Sequence, residues 1–88
     1  MEMYIASYQQ QEEEKARLRQ RMSKEAIDLA LQGRWEEAEA LNRDIIEKFP
    51  SDVEAYNRLG RALTELGDFD GAKEAYLKAL ELAPENAI

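Results

Sequence analysis

Apolar residues recur along this chain at three- and four-residue intervals, the period of a helix with one buried face. In the C-terminal part, Tyr56, Leu59, Leu63 and Leu66 form one such stripe. Phe69, Ala72, Tyr76, Ala79, Leu80 and Ala83 form the next, which Pro84 ends. Gly67-Asp68 separates the two: the glycine tolerates the left-handed geometry of a helix C-cap, and the aspartate can cap the helix that follows. Ser51-Asp52-Val53-Glu54 has capping-box spacing, which predicts Ser51 as the N-cap of the first helix, with its hydroxyl on the Glu54 amide. Upstream, Trp35, Ala38, Leu41, Ile45, Ile46 and Phe49 make a comparable stripe, preceded by Gly33-Arg34 and stopped by Pro50.

These signals repeat at a fixed interval. Gly33 and Gly67 are 34 residues apart, as are Pro50 and Pro84, Trp35 and Phe69, Ala38 and Ala72, Leu29 and Leu63, and Glu47 and Glu81. Ala26 matches Gly60 and Ile46 matches Leu80 at the same offset. Two units follow, residues 19–52 and 53–86, each a helix, a tight turn and a second helix. Such a unit folds into an antiparallel pair that cannot bury its stripe alone and stacks on a neighbour. The predicted fold is therefore all-α, an antiparallel helix-hairpin stack of two units behind a long N-terminal helix. Trp35 and Phe69, at equivalent positions, are expected in the core.

Residues 1–18 are an extension outside the repeat. Ser7 and Gln10 have the spacing of another capping box, and nothing from there to Gln32 breaks a helix, which predicts one helix over about 7–32. The run Gln9 to Glu14 is polar, and Lys15, Arg17, Arg19, Arg21 and Lys24 form a basic stretch. Ion pairs such as Glu13–Arg17 make that stretch a solvated helix face rather than a docking site. Met1, Met3, Tyr4, Ile5 and Tyr8 form an apolar cluster with three fates: a cap on the first unit, an insert into another copy, or a disordered tail.

The chemistry that can be excluded is broad. The 88 residues contain no cysteine and no histidine, so disulfides, thiolate metal sites and the commonest general base are absent. The net charge of −7 is the wrong sign for a phosphate-backbone binder, and nucleic acid is not an expected partner. Apolar runs are too short to span a membrane, and the N-terminus lacks a signal peptide, so the expected compartment is the cytoplasm. Asp68-Phe69-Asp70-Gly71 resembles the opening of a calcium loop, but its glycine comes two positions early and Ala79 stands where the final glutamate is needed. No aliphatic hydroxyl has a histidine partner and no glycine-rich phosphate loop is present. The expectation is a protein that is not an enzyme and takes no cofactor or metal.

With Tyr56, Leu59, Gly60, Leu63, Gly67, Phe69, Ala72, Tyr76, Ala79 and Pro84 in place, the second unit resembles the tetratricopeptide repeat (TPR) family almost throughout. Gly60 and Ala72 stand where that family brings its helices close. The first unit keeps Ala26, Leu29, Gly33, Trp35, Ala38 and Pro50. It departs at Glu25, Asn42 and Ile45, which suggests that part of its surface faces solvent or a different partner. The resemblance implies a protein-interaction scaffold whose first helices line a concave groove for a peptide or a neighbouring domain. By register, that groove holds Gln20, Lys24, Ile27 and Leu31 from the first unit and Asn57, Arg58, Arg61 and Glu65 from the second. A subgroup of the family grips a C-terminal carboxylate with Lys and Asn residues. Ser23 and Ile27 occupy two of those places here, so that ligand is not expected. Glu54–Arg58 and Arg61–Glu65 are expected to pair internally at i,i+4, whereas Ile27 and Leu31 together make an apolar patch that calls for cover. The stripe at Tyr76, Leu80 and Ala83 leaves an open edge, since repeat arrays need caps. This supports the alternative of a homo-oligomer formed through the groove or that edge, or a fragment of a longer protein.

Overall fold

The computed structural model describes residues 2–86, with side-chain surroundings from residue 7 to residue 85. It contains four helices: α1 (Glu2–Leu31), α2 (Trp35–Lys48), α3 (Val53–Glu65) and α4 (Phe69–Leu82), followed by a 3₁₀ turn at Pro84–Asn86. No strand is present among the described residues. Each helix packs on its neighbour in sequence, and α1 also touches α3, as in a stack of two antiparallel hairpins.

Local chemistry sets the reversals. At the first turn Gly33 has φ +72°, with the Gly33 amide donating to Ala30 O at 3.0 Å and the Arg34 amide to Leu29 O at 2.9 Å. At the second, Gly67 has φ +85°, and Gly67 and Asp68 donate to Thr64 O at 3.1 Å and Leu63 O at 2.9 Å. Both are Schellman caps, in which a residue without Cβ takes the left-handed position. Phe49 and Ala83 each precede a proline, and both leave the helical region, with φ −134° and −142°.

Two helix starts differ from those predicted. Asp52, not Ser51, caps α3, its carboxylate accepting from the Ala55 amide at 3.1 Å. The turn closed by the Asp52 amide on Phe49 O, at 3.0 Å, brings Asp52 to the cap, where an anion also meets the positive helix end. Likewise α1 begins at Glu2, so Ser7 and Gln10 lie inside it and form no capping box. The residues before Ser7 are good helix formers or tolerated ones, and nothing there stops the helix. Asp68 caps α4 as expected, accepting from the Gly71 amide at 2.9 Å, which accounts for the calcium-like spelling.

The core is built largely from small residues. Ala26, Ile45 and Ala55 meet with Met22, Leu41, Ile46 and Phe49 around them. Leu29, Ala38 and Ala62 meet beside Trp35. Leu59, Leu63, Ala72 and Ala75 form the third cluster, packed on Ile46. Phe69 is not core: it is 69% exposed, whereas Trp35 is half-buried. The difference lies in the neighbour. Trp35 is covered by α3 through Ala62 and Arg61, while among the described residues no helix covers Phe69 in the same way. Ile45 is fully buried, so this departure from the family pattern belongs to the interior. Glu25 faces solvent.

Gly60 approaches a side chain rather than a neighbouring backbone. A Cβ there would fall 2.7 Å from the Tyr76 ring. In the first unit the equivalent pair is Ala26 and Asn42, so a larger residue on one helix accompanies a smaller one on the other.

Two stability measurements check this packing. Ala72→Leu should lower stability by about 1–3 kcal/mol through overpacking, while Lys78→Ala, which removes an exposed pair to Glu81 at 3.5 Å, should change it by less than about 0.5 kcal/mol. Equal shifts in denaturant midpoint would contradict the packing register. Separately, Gly60→Ala should gain about 1 kcal/mol of helix propensity only when Tyr76→Ala has removed the ring, and should destabilise the otherwise unchanged chain. Chemical denaturation of the four-membered set reads the change of sign.

Candidate peptide-binding groove

The first helices of the two hairpins, α1 and α3, share one face. Gln20, Lys24, Ile27 and Leu31 lie within one narrow stripe of α1, because steps of three and four residues return to the same side of a helix. Ile27 is 46% exposed and Leu31 is 80% exposed, an unusual pairing of large aliphatics one turn apart. Toward the N-terminal end of this face lies an open depression of about 540 Å³, lined by Ala16, Arg19, Gln20, Ser23, Asp52, Glu54 and Arg58.

Arg58 organises this depression. Its Nε donates to Asn42 Oδ1 at 2.9 Å, and an Nη donates to Ser23 Oγ at 3.4 Å. Asn42 in turn donates through Nδ2 to the Ala38 carbonyl at 2.9 Å. The three side chains thus join α1, α2 and α3. Burial pushes the Arg58 guanidinium below its ordinary pKa, and the charges of Asp52 and Glu54 oppose that shift. It stays a cation, with N–H groups left over for another acceptor.

This network corrects the surface role assigned to Asn42. Asn42 is 1% exposed, because the repeat register places it in the interior and Arg58 supplies the polar partner it needs. Arg58 correspondingly hydrogen-bonds Asn42 rather than forming the predicted i,i+4 pair with Glu54. The other pair does form: Arg61 Nε lies 3.1 Å from Glu65 Oε1, and the Arg61 guanidinium stands 5.4 Å from the centre of the Trp35 ring. The Glu13–Arg17 pair is present at 3.9 Å, with both partners exposed.

The structure therefore divides the eight expected groove residues. Gln20 and Arg58 meet in the polar depression. Lys24, Ile27 and Leu31 continue the α1 stripe as exposed residues, and Arg61 and Glu65 form a salt bridge on α3. Asn57 lies elsewhere, in a cleft between α3 and α4 with Val53, Tyr76, Ala79, Leu80 and Ala83. Arg19 and Asp52 line the depression without having been expected there. One signal pointed to Asn42: a polar residue at the position equivalent to Tyr76 in the second unit. Among the described residues no group of three His, Cys, Asp or Glu side chains stands close enough to hold a metal ion, and no helix is long and apolar enough to cross a membrane.

The Arg58–Asn42 bond can be measured by a double-mutant cycle. Asn42→Ala and Arg58→Ala should each destabilise by about 1–3 kcal/mol, because each leaves a partly or fully buried polar group unpaired. The pair should show a coupling of about 1 kcal/mol or more in urea denaturation. Strict additivity would mean that the bond contributes nothing.

The comparisons with known proteins bear on the second hairpin. Residues 53–86 match the family model described as tetratricopeptide repeat. No curated protein matches the chain. Turn, cap, small-residue contacts and terminal proline coincide with that match, and the hairpin of residues 53–86 is a tetratricopeptide repeat.

Proposed function

We propose that this chain is a protein-binding module, not an enzyme, and that the α1/α3 face receives a polypeptide segment. The carrying observation is the pairing of exposed Ile27 and Leu31 with a guanidinium that the protein itself holds in place at Arg58. An apolar side chain of the ligand gains burial on the aliphatic pair. A carboxylate or main-chain carbonyl of the same ligand takes the remaining N–H groups of Arg58. Arg58 is already fixed by Asn42 and Ser23, so little conformational freedom is lost when a ligand binds. Asp52 and Glu54 beside it make the depression mixed in charge, which disfavours a ligand that is uniformly acidic.

Selection from a displayed random-peptide library tests this reading. Enriched peptides should combine a large aliphatic residue with an acidic residue. Binding should fall at least tenfold in Ile27→Glu and Leu31→Glu chains that keep their thermal stability, since both positions are exposed. Backbone NMR shifts on peptide addition should map to α1 and α3. Shifts confined to the α3/α4 cleft, or unchanged binding in both variants, would overturn the groove assignment.

A further inference from the structure

The cleft between α3 and α4 is the counterpart, one repeat on, of the place where α3 itself sits. In the first interface Ala55 of α3 packs into the crevice between α1 and α2, against Ile45, Ile46 and Phe49. At the 34-residue offset the second crevice presents Ala79, Leu80 and Ala83. It is open, holds about 210 Å³ and is mainly apolar, with Val53 and Asn57 on its α3 side. Ile45 has become Ala79 and Phe49 has become Ala83, so this crevice is wider where the first is full. Tyr76 takes back part of the space by lying against Gly60. A helix entering here must therefore bring larger side chains than Ala55, because close packing needs large residues against small ones.

The opposite edge of the stack cannot supply that helix. Counterparts of Ala55, Leu59 and Ala62, which are buried on α3, are Arg21, Glu25 and Asp28 on α1. All three are exposed. Setting this charged face into an apolar crevice would strand three ions away from water, so copies do not stack head to tail through it.

What α1 does offer is its N-terminal arm. The arm runs about 15 Å from Glu12, which lies beside Phe49, to Glu2, at 1.5 Å per residue. Residues 1–8 carry one charged side chain, Glu2, and in sequence Tyr4, Ile5 and Tyr8 fall on one helical face. Tyr8 is 60% exposed. Because α1 is continuous from Glu2 to Leu31, the arm cannot turn back to the crevice of its own chain.

We infer that the α3/α4 crevice receives the N-terminal arm of a second copy, with the large residues of that arm against Ala79 and Ala83. Reciprocal exchange about a two-fold axis fills both crevices and closes the assembly. The inference is independent of the α1/α3 groove and uses a different surface.

Light scattering of the full chain across a concentration series should show a mass rising to twice that of the monomer. An Ile5→Glu/Tyr8→Glu chain and a Leu80→Glu chain should each stay monomeric, with helical circular dichroism retained. Mixed in equal amounts, they should associate again, because one has an intact crevice and the other an intact arm. A wild-type chain that stays monomeric at the highest concentration would overturn the inference. So would a dimer that survives the arm substitutions, or a mixture that remains monomeric while the wild type dimerises.

Discussion

Helices that meet through small residues bring their axes nearer than helices that meet through Leu or Phe, and the contacts in this stack fall on Ala26, Ala38, Ala55, Ala62, Ala72 and Ala75. The consequences run through the whole molecule. Close axes allow hairpins as short as thirteen or fourteen residues per helix to bury a shared stripe. They also leave little room for error, since an added methylene has nowhere to go. Leu29, Ile45, Leu59 and Leu63 lie buried among these contacts, and Met22, Leu41, Ile46, Phe49 and Trp35 fill the margins. A thin core of this kind gains from each neighbour in the stack, which is why the two edges matter as much as the interior.

The edges are finished differently. On α1 the outward positions carry Arg21, Glu25 and Asp28, all exposed. On the α3/α4 side, Tyr76, Leu77, Leu80 and Leu82 remain between 36% and 53% exposed. The same repeat register thus produces a polar face at one end and an apolar one at the other. The charged face at one end opposes open-ended head-to-tail stacking of identical copies.

How much of this was readable from residues alone depended on the range of the interaction involved. The reversals at Gly33 and Gly67 rest on one residue without Cβ, and the helix ends at Phe49 and Ala83 rest on the proline that follows; both are local and both were legible. Asp52 was passed over for Ser51 because only Ser51 has a glutamate three residues on, whereas the preceding turn brings Asp52 to the cap. Phe69 was misjudged because burial at that position comes from the next helix, which Trp35 has and Phe69 lacks among the described residues. Asn42 was misjudged for a related reason: its partner Arg58 is sixteen residues away in sequence and on another helix. Of the groove, the α1 stripe followed from helical period, while the separation of Asn57 from Arg58 depended on which side of α3 each one faces.

That last division explains how a surface of smooth alanine contacts keeps its register. Apolar small-residue packing is weakly directional, and neighbouring helices can slide along it at low energetic cost. A hydrogen bond from Arg58 to Asn42, with Ser23 as a further acceptor, has a preferred distance and angle, so it holds α3 against α1 and α2 at one setting. The cost is a guanidinium partly removed from water, visible in its lowered pKa. Asp52 and Glu54 offset part of that cost, and Asp52 does so while also capping α3. The group that locks the two hairpins together is therefore also the cation presented on their shared face. An acceptor arriving there meets a donor whose orientation is already set by the packing of the repeats.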